Sequence, residues 1–210
     1  MRQLRVNIFG GLVFVFAMLS NAYGVTVFND AVNDFSGNGL SPTQLGTLTE
    51  GVTQIIGTTG NTAGVSDRDY FTVTVPGNLR VTLLIEGAGT QSGPPNFLGF
   101  FGLQSGPQVT LPNSPPPSSA AGLLGWIHYS PTATDINILP ALASAGNGAS
   151  GFTPAILGPG TYSFWLQDTT AGTFNYNFSL ILSVPEPTVG VLMMGELIVL
   201  WSFYRRRIDS

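Results

Sequence analysis

Apolar and polar residues alternate with a period of two along several short stretches of the chain, and no long stretch of its middle repeats with the period of a helix. Phe71-Thr72-Val73-Thr74-Val75 and Arg80-Val81-Thr82-Leu83 show the alternation plainly. Phe174, Tyr176, Phe178 and Leu180 point one way while Asn175, Asn177 and Ser179 point the other, as on a half-buried antiparallel strand. The pattern predicts strands over Tyr70 to Val75, Arg80 to Glu86, Tyr162 to Gln167 and Phe174 to Leu182. Weaker patterns lie at Val25 to Phe28, Gln44 to Leu48, Phe97 to Leu103, Gln108 to Leu111 and Leu123 to Tyr129. Pro76-Gly77-Asn78 reads as a hairpin turn, and Gly158-Pro159-Gly160 as a turn leading into Tyr162. Pro112 to Ser119 and Ala141 to Gly151 are too rich in Pro or Gly for strands and read as exposed crossings between sheets. Many short strands separated by turns predict an all-β body, an antiparallel β-sandwich over residues 25–183.

The two ends follow other rules. Arg2 and Arg5 precede an apolar stretch from Ile8 through Leu19, then the small residues of Ser20-Asn21-Ala22 and Ala22-Tyr23-Gly24. That is the layout of a secretory signal peptide over residues 1–24, cut after Ala22 or Gly24. Its apolar run of about 12 residues is shorter than the roughly 20 that span a bilayer. At the other end, residues 184–210 hold Val184-Pro185-Glu186-Pro187, an apolar run and Arg205-Arg206-Arg207. As a helix, residues 188–204 would be about 26 Å long, enough to cross a thin bilayer. Glu196 in its middle costs on the order of 3 kcal/mol, and its Val, Leu, Ile and Phe residues together return about 3 to 4 kcal/mol. The anchor is therefore marginal. The three arginines stop transfer and leave the body outside.

In that order, these features resemble the PEP-CTERM sorting signal. The resemblance covers about residues 184 to 207 and departs from the family in Glu196. It implies a polysaccharide-producing Gram-negative bacterium. It also implies an exosortase-type processing enzyme that cuts near Pro185, Glu186 and Pro187 and releases or transfers the body to the cell surface or matrix.

Composition narrows the body's chemistry. There is no cysteine, hence no disulfide, no thiol nucleophile and no cysteine metal site. Between residues 25 and 184 the only cations are Arg68 and Arg80. Eight carboxylates oppose them (Asp30, Asp34, Glu50, Asp67, Asp69, Glu86, Asp135 and Asp168), for a net charge of −6. Such a surface repels nucleic acid. Charged residues make up 9 % of the chain, against about 25 % in an ordinary soluble domain, so hydroxyl and amide groups must keep the surface wet.

His128 is the only histidine and lies in a predicted strand; with no Gly-x-Ser-x-Gly elbow in the chain, a hydrolase triad has little to build on. Asp67 and Asp69 flank Arg68 at a strand start. They can offer oxygens to calcium, with Asp168 a third if the fold brings it near; the plainer alternative is a turn cap partly neutralised by Arg68. Trp126, Tyr129, Phe164 and Trp165 could stack on sugar rings where exposed, though such rings more often fill a core.

Asp67-Arg68-Asp69-Tyr70-Phe71 through Gly77, then Gly160-Thr161-Tyr162 and Gly172 to Tyr176, resembles a bacterial pre-peptidase C-terminal type domain. The resemblance covers about residues 65 to 184, with extra loops over 88 to 151. It implies a non-catalytic, sometimes calcium-bound β-sandwich module on secreted proteins. The expectation is an exported, non-enzymatic surface or matrix protein whose partners are the processing enzyme, the membrane and extracellular polysaccharide. Its sorting residues are Val184, Pro185, Glu186 and Pro187, its membrane stop Arg205, Arg206 and Arg207. Asp67 and Asp69 are its calcium candidates and no other cofactor is expected; Trp126 and Trp165 are its ligand candidates. The alternative is a surface protein that binds or cleaves glycans.

Overall fold

Among the described residues ten strands and one short helix follow one another: β1 (Val25–Asn29), β2 (Thr43–Thr47), β3 (Gly51–Thr62), β4 (Val65–Val75), β5 (Arg80–Glu86), β6 (Gly99–Ser105), β7 (Gly125–Tyr129), β8 (Ile136–Asn137), α1 (Leu139–Ala143), β9 (Gly160–Gln167) and β10 (Gly172–Ser183). The structure is a computed structural model that describes residues 24–95, 99–112, 119–130, 135–144 and 146–185. The expected signal segment before Gly24, Glu186 and Pro187 of the motif, the helix over 188–204 and Arg205 to Arg207 lie outside the described residues. Among the described residues no helix is long and apolar enough to cross a membrane.

The strands form one mostly antiparallel sheet, curled into a half-barrel, in the order β7-β6-β9-β4-β3-β10-β5-β8. β1 lies parallel beside β3, and β2 parallel beside β4. The curl starts at the β3–β4 hairpin. Its two-residue turn puts Ala63 and Gly64 at φ 53° and 83°, the left-handed geometry whose twist suits a tight hairpin. The two strands pair only from Gly60 to Thr62 against Val65 to Asp67. Beyond that they part, β3 towards β10 and β4 towards β9, each pairing over a long register. Two arms result, β7-β6-β9-β4 and β3-β10-β5-β8, and their inner faces meet. Phe101 of β6 stands edge-on to Phe178 of β10 at 4.8 Å, and Tyr129 of β7 does the same at 5.4 Å.

α1 sits across the open side and packs on β7 and β5, with Leu139 and Leu142 fully buried. Gly125 makes this approach possible, because a Cβ there would run into the Leu142 carbonyl. The core holds Ile55, Phe71, Leu84, Leu103, Phe164 and Leu180 among others. Burying such side chains contributes roughly 1.5–3 kcal/mol each.

The structure departs from the sequence pattern in four places. Pro76-Gly77-Asn78 turns the chain but closes no hairpin, because the chain crosses there from one arm to the other: β4 pairs with β9, and β5 with β10. β3 forms where Gly57-Thr58-Thr59-Gly60 gave no apolar alternation, because β10 pairs with it along the whole stretch, between the β1 register that reaches Ile56 and the β4 register that starts at Gly60. Gln108 to Leu111 is not a strand, although Val109 is buried and its N–H donates to the Gly39 carbonyl. The segment from Ala141 to Gly151 is not wholly an exposed crossing: Ala141 to Ala143 end α1, and Ala149 is buried.

Candidate functional site

Two clusters stand out, one acidic and inside the curl, one aromatic and outside it. The acidic cluster starts where β1 ends. Asp30 N–H still donates to the Ile56 carbonyl, so β1 holds its register on β3 up to that residue. The chain then turns, with Asn29 Oδ1 accepting from Ala31 N–H and the Asn29 carbonyl from Val32 and Asn33. Asp30 Oδ1 closes the loop by accepting from Phe35 N–H at 2.6 Å. Phe35 is buried against Phe71, which anchors the loop in the core. The turn carries Asp34 back towards β4.

On β4 the alternation sends Asp67 and Asp69 to one face and Arg68 to the other. Asp69 is fully buried. Its Oδ2 accepts from the Tyr176 hydroxyl at 2.6 Å, and its Oδ1 has no hydrogen-bond partner among the described residues. One carboxylate oxygen from each of Asp30, Asp34 and Asp69 falls within 4.8 Å of the others. Asp67 is exposed beside this group. Gly57 of β3 makes the space, since a Cβ there would strike both the Tyr176 hydroxyl and Asp30.

Among the described residues no arginine compensates this cluster, since Arg68 and Arg80 bond elsewhere. Burial pushes Asp69 up to about 8; the Tyr176 hydrogen bond opposes the shift, and Asp30, Asp67 and Asp34 add repulsion to it. Burial also raises Asp30 and Asp67, and neighbouring carboxylates raise both further. Burial and then the Asp69 charge drive Tyr176 upwards. Arg68 does not neutralise the pair, because its Nε donates to Gln167 Oε1 on the opposite face. Asp168 is not part of the cluster either: its two oxygens accept from Gly93 N–H and Thr170 N–H, each at 2.8 Å.

The aromatic cluster covers the outer face of the β7-β6-β9-β4 arm. Cross-strand register lines up Trp126, Gly102, Trp165 and Tyr70 in one row, and His128, Phe100, Gln167 and Arg68 in the next. The ring of Phe100 leans over Gly102, where a Cβ would come within 2.9 Å of it. There it lies 4.7 Å from the Trp165 ring and 6.1 Å from that of Trp126. His128 stands edge-on to Trp126 at 5.4 Å. The Trp165 indole donates to Gln167 Oε1, which also takes the Arg68 bond, and the Trp126 indole donates to the Gly146 carbonyl.

Phe100, Trp126, His128 and Gln167, with Ser119 and Asn147, line a cleft of about 250 Å³. Trp126 and Phe100 are half-buried and His128 is exposed, whereas Trp165 is buried and forms the floor. Tyr129 and Phe164 belong to the interior.

Sequence reasoning had singled out Asp69, Trp126 and Trp165 and missed Asp30, Asp34 and Phe100 as members of either cluster. Asp30 and Asp34 carry a faint signal, two carboxylates in a turn directly after a strand. Phe100 carries none, because a run of aromatics does not say which ring faces outward. Comparison with known proteins returns no family model, no curated protein and no solved structure that matches the chain.

Proposed function

We propose that this chain is an exported, non-catalytic surface or extracellular-matrix protein, sorted through its C-terminal Pro-Glu-Pro signal and structural or adhesive in role. In this reading the body is an antiparallel β-sandwich between an N-terminal signal helix and a C-terminal membrane helix. An exosortase-type enzyme acts near Pro185, Glu186 and Pro187 while residues 188–204 hold the chain in the membrane and Arg205 to Arg207 stop transfer. The supporting observation is where the last described strand ends. β10 runs to Ser183, and Val184 next to it is already 47 % exposed. The motif thus begins one residue beyond the last strand, where a processing enzyme can reach it without unfolding the body.

The intact mass of the protein recovered from its native cells tests this reading. The expected mass starts after Ala22 or Gly24 and stops between residues 184 and 187. A mass that retains Arg205 to Ser210 would remove processing and leave a permanently anchored surface domain.

The outer aromatic cleft favours a second reading, a protein that binds glycan. Half-exposed rings beside His128, Gln167 and Asn147 give both an apolar face for a sugar ring and polar groups for its hydroxyls. Retention on the cell's own extracellular polysaccharide, lost in Trp126→Ala and Phe100→Ala, is the expected result. Equal retention of wild type and both variants would end it.

A further inference from the structure

We propose that Asp30, Asp34 and Asp69 hold one calcium ion, which fastens the N-terminal strand and the loop after it to the middle of the sheet. The geometry is already close to that of a bound ion. Calcium holds its oxygens at about 2.3–2.6 Å, so oxygens on opposite sides of the ion stand roughly 4.6–5.2 Å apart. The three carboxylate oxygens lie within 4.8 Å of one another, inside that span.

A second observation points to a ligand. Asp69 is fully buried, and while Tyr176 holds Oδ2, Oδ1 has no hydrogen-bond partner among the described residues. A buried acceptor left unpaired is a costly defect, and native proteins seldom carry one without a reason. A cation among the three carboxylates gives that oxygen a partner and cancels their mutual repulsion. Neither arginine of the body does so. Arg68 bonds Gln167 on the opposite face, and Arg80 bonds the carbonyls of Gly77 and Leu79.

The ligand chemistry selects a hard cation. All three donors are carboxylates, and the chain's one histidine lies on β7, so zinc and copper lack their preferred ligands. Calcium suits the site better than magnesium. It accepts six to eight oxygens in irregular arrangements, and the exposed side of Asp34 leaves room for water and Asp67, whereas magnesium demands a tight octahedron. Asp69 lies within the residues that resemble a pre-peptidase domain, whereas Asp30 and Asp34 lie before them, on the turn that follows β1.

The ion would do what a disulfide cannot do in a chain without cysteine. β1 is bound to the sheet on one side only, by its parallel pairing with β3. A tie from Asp30 and Asp34 to Asp69 would fix it to β4 as well.

Full-length chain purified in detergent and stripped with EGTA, titrated calorimetrically with CaCl2 and then melted with and without the ion, tests the proposal. One calcium per chain is expected, with a Kd of roughly 10⁻⁴–10⁻³ M, the range of extracellular modules. The melting temperature should rise with added CaCl2. Asp34→Asn changes an exposed side chain, so it should fold; it should weaken binding at least about tenfold and leave the calcium-free melting temperature unchanged, as loss of one of three charged ligands implies. Asp67→Asn should weaken binding less than Asp34→Asn. Asp69→Asn should abolish binding, and if it fails to fold, Asp34→Asn still decides. Absence of saturable binding up to about 10 mM, well above that affinity range, would overturn the proposal. So would a melting temperature indifferent to CaCl2, or unchanged affinity in Asp34→Asn. Magnesium binding as tightly as calcium would overturn the choice of ion.

Discussion

The interior of the half-barrel has two unlike ends. At the end where β4 finishes and β5 begins, the inward residues are hydrocarbon: Val73, Val75, Leu79, Val81, Leu103, Leu180 and Leu182. At the end where β4 begins and β5 finishes, the interior holds Thr59, Asp69, Glu86, Tyr129 and Tyr176, all buried. Asp69 Oδ1 and Glu86 Oε1 find no hydrogen-bond partner there among the described residues. The same strands supply both ends, so the difference is not one of secondary structure. It separates a part of the molecule that exists to hold the fold from a part where stability has been given up. Groups that are costly to bury persist where something other than packing keeps them.

The largest expected effect lies at the hydrocarbon end. Leu180 is fully buried on β10 between β3 and β5. Leu180→Ala should destabilise the protein by about 2–5 kcal/mol, the usual cost of a lost leucine and the cavity it leaves. Urea unfolding should show the same loss at pH 5.5 and pH 8.5, since no titrating group takes part. A loss that changed between those two pH values would mean that the two ends are not separate.

Glu86 at the polar end should behave in the opposite way. It is 2 % exposed, and burial pushes its carboxyl from 4.5 up to about 7. The folded protein therefore keeps a proton there that the unfolded chain has released. Stability should be highest below pH 4.5 as far as this group is concerned, and should fall as pH rises through 7 by roughly 1–3 kcal/mol. Glu86→Gln should make that slope shallower by this group's share, with the raised carboxyl of Asp69 keeping a part of it, and should be the more stable protein at pH 8. Parallel slopes in the variant and the wild type would place the titration elsewhere.

Tyr176→Phe probes the bond that crosses the polar end. Without the hydroxyl, Asp69 loses its only hydrogen-bond donor, at a cost of about 1–3 kcal/mol for the exposed penalty of a buried acceptor. The phenylalanine keeps the packing on Phe178, so a loss of this size belongs to the hydrogen bond. Unchanged urea unfolding would show that Asp69 is satisfied some other way.

The contrast between the ends also explains which parts of the structure could be seen in the sequence. Alternation around Phe71, Val81 and Phe178 located β4, β5 and β10, because hydrocarbon facing a core forces a period of two. β3 escaped because Thr53, Thr59 and two glycines serve there instead of large apolar groups. Gly57 is needed for the closeness of Tyr176 and Asp30, and that need leaves no mark in a pattern of hydropathy. The acidic cluster was half legible. Asp69 lies on β4 directly before its run of alternating apolar residues, but its partners come from a turn some 35 residues earlier in the chain, and the parallel pairing of β1 with β3 brings them together. Long-range pairing of that kind is set by tertiary structure and not by local pattern.

The outer face gives the smallest effect on stability. Trp126 is half-buried and stacks beside Phe100 with its indole N–H on the Gly146 carbonyl. Trp126→Ala should cost about 1–2 kcal/mol, for one aromatic contact and one partly exposed hydrogen bond. That is well below the loss at Leu180, because the ring covers the sheet from outside and no cavity opens in the core. The same variant should lose retention on extracellular polysaccharide while its urea midpoint falls less than that of Leu180→Ala. A large drop in stability would instead make the outer rings a second core that needs its aromatic cover, with Tyr70, Leu123 and Trp165 beneath it. The cleft would then be a seam in the packing, and binding would have to be sought at the acidic end.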